Sequence, residues 1–200
     1  MTRSRRSNMD DLRLAAIVAS VGFLILSPGP SHAAGGNNLD ADLTGFQEVH
    51  PPTLGVGAIF STGSGRVALK VDKRRREITY ELSYEFPDAA NTTVVGVQFV
   101  NQAHLHFGQA STTGGITVWL CQSADNPAPA AVADTPSCPS PSGTVTGTIS
   151  PQHVLALPGQ GLPAGEAGFD ALLRALREDA IYANVHTDRF PPGELRGQVD

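Results

Sequence analysis

The sequence predicts an all-β protein, an antiparallel sandwich or barrel that carries one short helix. The clearest observation is residues 77–86, where apolar and polar side chains alternate strictly. This period of two places one face of a strand in a core and the other in water. The second observation is the frequency of turn residues, which divide most of the chain into short segments of strand length. Both features are typical of sandwiches and barrels.

The individual strands are predicted from alternation, β-branched residues and flanking turns. The segments are 39–43, 55–60, 65–71, 77–86, 92–100, 102–107, 116–121, 143–149, 181–186 and 194–199. A helical period occurs near 166–178, where apolar residues recur three and four positions apart. This stripe consists of Phe169, Leu172, Leu173 and Leu176. We therefore predict one helix there, packed over an edge or end of the sheet.

The N-terminal region has the features of a secretory signal peptide. Four arginines precede or flank an apolar run, 14–26, that is too short to span a bilayer comfortably. Ser31-His32-Ala33 then has the small-x-small form of a cleavage site. We expect 1–33 to be removed, 34–38 to be a flexible leader and 39–200 to form one domain. An uncleaved N-terminal anchor is the alternative.

Charge and export limit the possible partners. Without residues 1–33, 10 basic and 17 acidic residues remain, which gives a net charge of −7. This excess disfavours nucleic acid and anionic membranes as partners. The basic run Lys73-Arg74-Arg75-Arg76 lies between two predicted strands and is interpreted as a solvated hairpin turn. The mature chain is expected to have no membrane span and to be periplasmic, on the cell surface or extracellular.

Two cysteines, Cys121 and Cys138, occur in the exported part. An even number of cysteines in an exported chain predicts a disulfide. The alternative, thiolate ligation of a metal, is less well supported because the pair lacks CxxC spacing and lies in a loop rich in Pro, Ala and Ser.

The main candidates for chemistry are three histidines. His104 and His106 are two residues apart in a predicted strand, so their side chains share one face. His186 lies in the predicted strand 181–186, on the face that also carries Tyr182 and Asn184. If the two strands pair, three imidazoles converge and could hold copper or zinc. The alternative is a metal-free, hydrogen-bonded polar face.

Other polar residues are candidates for supporting roles. Glu194 follows a turn close to His186 and could accept a hydrogen bond from an imidazole N–H, although it could equally pair with Arg196. Asn184 could hydrogen-bond across strands. His50 and His153 lie beside prolines in predicted loops and are not counted as ligands.

Several motifs together resemble the CHRD domain, a module first described as a repeat in chordin and found singly in many exported bacterial proteins. The similar segments are 43–49 (LTGFQEV), 103–108 (AHLHFG), 115–120 (GITVWL), 183–187 (ANVHT) and 190–198 (FPPGELRGQ). The resemblance covers nearly all of 39–200. One departure is His50, which stands where the family usually continues directly into Pro-Pro.

The resemblance implies an immunoglobulin-like or Greek-key barrel, reminiscent of copper/zinc superoxide dismutase in fold and in its HxH motif. It places the family's recurrent histidines on His104, His106 and His186, with Glu194 and Arg196 in the C-terminal motif. The position of His50 leaves open whether it joins the site.

Three functional hypotheses follow. The first is an exported, non-catalytic domain that binds copper, or else zinc, through the three histidines. The second is a copper metalloenzyme of superoxide-dismutase type, against which stands the lack of a second His/Asp cluster for a structural zinc. The third is a metal-free module that binds extracytoplasmic protein partners at a cell surface.

Overall fold

A computed structural model describes residues 37–50, 57–87 and 99–200 of the chain. Within these residues eight strands and one α-helix form. The strands are β1 (Asn38–Thr44), β2 (Ser64–Asp72), β3 (Glu77–Glu85), β4 (Val100–Phe107), β5 (Gly115–Cys121), β6 (Gly143–Ile149), β7 (Ile181–Thr187) and β8 (Leu195–Gln198). The helix α1 spans Gly165–Arg177, and short 3₁₀ turns lie in the loops. No helix in the described ranges is long and apolar enough to cross a membrane.

All strand pairs are antiparallel, in the order β5-β4-β7-β8-β1-β2-β3-β6. The strands at the two ends of this order, β5 and β6, contact each other, so the sheet curls into a nearly closed barrel. β3 lies beside β6, and β4 lies beside β7, although two strands separate each pair in the chain. These two crossovers are Greek-key connections. The predicted all-β antiparallel Greek-key fold is confirmed.

The barrel interior is filled by the apolar residues of each alternating strand. In β3 the buried positions are Ile78, Tyr80, Leu82 and Tyr84, as the alternation predicts. The helix buries Phe169, Leu172 and Leu176 in the same core. It begins at Gly165, four residues before the predicted apolar stripe.

The connection between β2 and β3 is the hairpin turn predicted for the basic run 73–76. Asp72 accepts hydrogen bonds from the backbone N–H groups of Arg74 and Arg75. Arg76 pairs with Glu166 and Asp170 at the start of α1, at 2.7 and 3.1 Å. The turn therefore ties the hairpin to the helix.

One predicted strand differs from the structure, and another lies mostly outside the described residues. In the described part of 55–60, residues 57–60 are not a strand: the Ile59 N–H donates to Gly45 O, and Phe60 is 78 % exposed. This segment is apolar but has no alternation: of residues 57–60 only Ile59 is buried, and the other three are exposed. The strand predicted over 92–100 lies mostly outside the described residues, and its last residue, Val100, begins β4.

The predicted disulfide is present. The sulfur atoms of Cys121 and Cys138 lie 2.00 Å apart, and the bond joins the end of β5 to the long loop before β6. Neither cysteine is free, so the alternative of thiolate ligation has no available ligand atom.

Candidate metal centre

The site is built on two neighbouring strands, β4 and β7. Their antiparallel register places His104 opposite Asn184, His106 opposite Tyr182 and His186 opposite Gln102. Alternate residues of both strands, such as Leu105 and Val185, point into the core. The histidines occupy the other face, yet every residue of β7 is buried, because loops cover this face as well.

Three imidazoles meet on this face. The ring centre of His104 lies 5.5 Å from that of His106 and 5.0 Å from that of His186, and the latter two are 6.2 Å apart. Each residue offers one nitrogen, and these three atoms lie within 4.8 Å of one another. Of the described histidines, cysteines and acidic residues, no other joins this group.

Backbone carbonyls orient two of the rings. His106 Nδ1 lies 3.0 Å from Gly114 O, and His186 Nδ1 lies 2.9 Å from Pro191 O. Since a carbonyl oxygen can only accept, each Nδ1 carries the proton and donates it. The Nε2 atoms of both rings are then unprotonated acceptors, and both are buried without a hydrogen-bond partner. Neither ring nitrogen of His104 has a partner.

Burial keeps these imidazoles neutral. Desolvation lowers the pKa of His106 to about 3 and that of His186 to about 4. The pKa of His104 is lowered well below its usual value by burial first and by the neighbouring His186 and His106 second. Three neutral imidazoles with free lone pairs are the form in which histidine binds metals.

The size of the group fits one ion. Any three atoms within 4.8 Å of one another fit in a circle of radius about 2.8 Å, whereas metal–nitrogen bonds are about 2.0–2.1 Å. Inward movements of roughly 0.7 Å per ring would therefore bring all three nitrogens to bonding distance. Such shifts are small for side chains, so the residues present fit a metal ion.

Aromatic rings pack around the histidines. Trp119 of β5 meets His104 edge to face, with ring centres 4.3 Å apart. Tyr182 stacks flat on His106, with ring centres 4.7 Å apart and planes 5° from parallel. The guanidinium carbon of Arg196 lies 3.5 Å from the centre of the Tyr182 ring. A column of cation, phenol and imidazole results.

A loop glycine links two members of this column. The Gly114 carbonyl accepts from His106, and the Gly114 N–H donates to the Tyr182 hydroxyl at 3.1 Å. Only glycine fits at this position, because a Cβ atom there would lie 1.9 Å from Phe107 O. The loop between β4 and β5 therefore approaches the strand closely enough to hold both rings.

The residues predicted to support the site contact other groups. Asn184 Nδ2 donates to Glu48 Oε2 and to Leu195 O. The buried carboxylate of Glu194 accepts from the hydroxyls of Ser61 and Thr187. The sequence suggests Glu194 as the acceptor for an imidazole N–H. In the structure, the N–H groups of His106 and His186 donate to backbone carbonyls instead.

The remaining histidines stand apart. His50 Nε2 lies 2.9 Å from Gly193 O, and His50 is not a member of the three-nitrogen group. His153 Nε2 lies 3.1 Å from Asp134 in a different loop. Neither residue belongs to the group formed by His104, His106 and His186.

A family model for the CHRD domain matches residues 39–199. The chain belongs to the CHRD family. Comparison with curated proteins and with solved structures gave no match. The matched part of this CHRD domain runs from β1 to the residue after β8, so it contains the whole barrel and all three histidines.

Some residues around the candidate metal centre could not be found from the sequence. The carbonyl oxygens of Gly114 and Pro191 orient two rings, but backbone acceptors leave no residue-specific signal. Trp119 and Tyr182 lie on predicted strands, where an aromatic residue usually indicates packing. Glu48, which accepts from Asn184, lies 136 residues away in the chain and has no local pattern that connects it to the site.

Proposed function

We propose that this CHRD domain is an exported, non-catalytic domain that holds one copper ion between His104, His106 and His186. One observation carries the proposal: three neutral imidazoles converge in a buried position, and the nitrogen atoms that face one another have no hydrogen-bond partner.

A metal ion explains this arrangement better than a metal-free polar face. A buried acceptor without a partner costs about 1–3 kcal/mol, and native proteins contain few of them. Here such atoms lie on all three rings and close together. A bound ion would supply the missing partner for each lone pair and would join β4 to β7.

The donor set favours copper. Imidazole suits both copper and zinc. Among the divalent ions of the first transition row, Cu(II) binds most tightly to such donors. The site lacks the carboxylate and thiolate donors that favour other ions, among the residues described. Zinc remains the alternative ion, since three histidines also suit it.

Burial of the donor atoms favours binding over catalysis. A catalytic metal needs a coordination position that substrate can reach. The unpartnered nitrogen atoms of this site are all buried. A copper enzyme of superoxide-dismutase type is the alternative, and it requires metal-dependent loss of superoxide that His106→Ala abolishes.

The decisive experiment is elemental analysis of the protein recovered after export. We expect about one copper ion per chain in the native protein and none in a His104→Gln/His186→Gln variant. His153→Asn is the matched control, because it removes a histidine outside the group, and it should keep the copper. Sequencing the N-terminus of the same preparation tests the expected cleavage after Ala33.

A contrary result has a definite meaning. Absence of bound metal, together with an unchanged melting temperature on addition of Cu(I), Cu(II) or Zn(II), would overturn the proposal. The domain would then be a metal-free module for extracytoplasmic protein partners.

A further inference from the structure

We propose that this site selects monovalent copper, Cu(I), over Cu(II), and that Arg196 sets the preference through the ring of Tyr182. The inference rests on the proposed function, because it concerns the oxidation state of the copper that the three histidines would hold.

The first step is the number of donors. Three imidazole nitrogens form the group, and no fourth histidine, cysteine or carboxylate in the described ranges joins it. Their unpartnered nitrogen atoms are buried, so water does not reach them as an additional ligand. Cu(II) prefers square-planar or tetragonal sites with four or more donors. Cu(I) has a filled d shell and is satisfied by three.

The second step is the position of Arg196. β7 lies between β4 and β8, so the Tyr182 ring separates His106 on one side from Arg196 on the other. The guanidinium carbon lies 3.5 Å from the centre of the Tyr182 ring, and that ring lies 4.7 Å from the His106 ring. The guanidinium is therefore roughly 8 Å from His106, a distance at which unit charges still interact in a buried site.

The third step is the sign of the surrounding charge. Among the described residues, no carboxylate joins the three-nitrogen group, and the guanidinium of Arg196 stacks on the same Tyr182 ring as His106. A cation repels a divalent ion twice as strongly as a monovalent ion at the same place. Arg196 therefore favours the reduced ion.

The fourth step is the free-energy cost of burying the charged side chain of Arg196. Its side chain is buried, with only 2 % of the residue exposed. No ion pair between Arg196 and a carboxylate occurs among the described residues. Nη2 donates to Gln109 O at 3.0 Å, whereas Nη1 has no partner. The one acid that acts on it, Glu48, has its own pKa raised by burial. Burying such a cation is unfavourable, and a neutral residue would pack on Tyr182 at a lower cost.

The test measures the affinities of the native protein for both ions, by competition with a chromogenic Cu(I) chelator and with an aminocarboxylate chelator for Cu(II). We expect a higher reduction potential than that of aquated copper. Arg196→Gln should lower the Cu(I)/Cu(II) affinity ratio on the order of tenfold, which is about 59 mV. Arg196→Lys keeps the charge and should keep most of the ratio. Arg66→Gln, at an exposed arginine paired with Asp40 and Asp42, should change nothing.

A second pair of variants leaves Arg196 in place. Ser111 is exposed, lines the same cleft of about 500 Å³ as Arg196, and has a φ of 61°, which Asp and Asn tolerate. Ser111→Asp adds a carboxylate to the cleft that Arg196 also lines and should lower the ratio roughly threefold. Ser111→Asn has the same shape without the charge and should have no effect.

The outcomes separate the two proposals. Failure to bind either ion overturns the proposed function itself. Binding of copper with a potential at or below that of aquated copper overturns the Cu(I) preference and leaves the function standing. A native preference for Cu(I) that is unchanged in both Arg196→Gln and Ser111→Asp removes the role assigned to Arg196.

Discussion

The indole ring of Trp119 meets the imidazole ring of His104 edge to face, with their centres 4.3 Å apart. The two residues lie opposite each other on β5 and β4. Because Trp119 is the only tryptophan in the chain, its fluorescence reports on this one place. The fold therefore contains an intrinsic probe of the candidate metal centre.

The first prediction uses this probe. Cu(II), added until the site is filled, should quench most of the tryptophan emission of the native protein, because a paramagnetic ion held by His104 would lie next to the indole. His104→Gln should lose the quenching at the same copper concentration, as measured by fluorescence titration. His153→Asn should behave as the native protein does. Equal quenching in His104→Gln would show that copper reaches Trp119 without this site.

The second prediction concerns acid stability of the metal-free protein, kept so by a chelator. The pKa values of His106 and His186, about 3 and about 4, lie below the ordinary value of 6.5, so the unfolded chain binds protons that the folded chain does not. Stability is complete above pH 6.5 and falls as the pH drops towards 4. Each histidine contributes a slope of up to about 1.4 kcal/mol per pH unit.

Urea unfolding at several pH values measures this slope. A His106→Gln/His186→Gln variant should show a shallower loss between pH 6.5 and 4. The comparison matters because burial raises the pKa of Glu48, and a raised carboxyl pKa acts in the opposite sense. An identical slope in both proteins would contradict the burial of neutral histidines.

The third prediction concerns the disulfide. Cys121 and Cys138 are 17 residues apart, a loop for which the chain-entropy model gives about 3 kcal/mol. A Cys121→Ser/Cys138→Ser variant should melt roughly 6–12 °C lower than the native protein. Its copper content should stay the same, because the three histidines supply the donors. A variant that lost its copper while still folded would mean that the cysteines support the centre.

Local pattern was sufficient for most of the fold. Residues 77–86 alternate between apolar and polar side chains because one face of β3 packs in the core and the other faces solvent. This strand could therefore be predicted directly from the sequence. Residues 57–60 are apolar without alternation, and a local propensity there does not produce a strand because the segment has no strand partner in the described structure. The order of the strands depends on long-range pairing, for which the CHRD resemblance was needed.

The site was predictable only in part. The spacing of His104 and His106 placed both on one face of a strand, since side chains alternate along it. Their closeness to His186 depends on the pairing of β4 with β7, which are separated by some 80 residues in the chain and whose register no local pattern contains. The stacking of Arg196 on Tyr182 likewise depends on the β7–β8 pairing.

The last prediction concerns Asn184, which lies opposite His104 but donates to Glu48 and Leu195 O. Asn184→Ala leaves both buried acceptors without this donor and should cost about 1–3 kcal/mol of unfolding free energy. Its copper affinity should change less than threefold, because no imidazole bonds to this amide, whereas loss of a group that orients a ligand typically costs about 10–100-fold. Chemical denaturation and copper competition on one preparation separate these effects. A tenfold loss of affinity in a folded Asn184→Ala protein would mean that Asn184 orients the metal ligands.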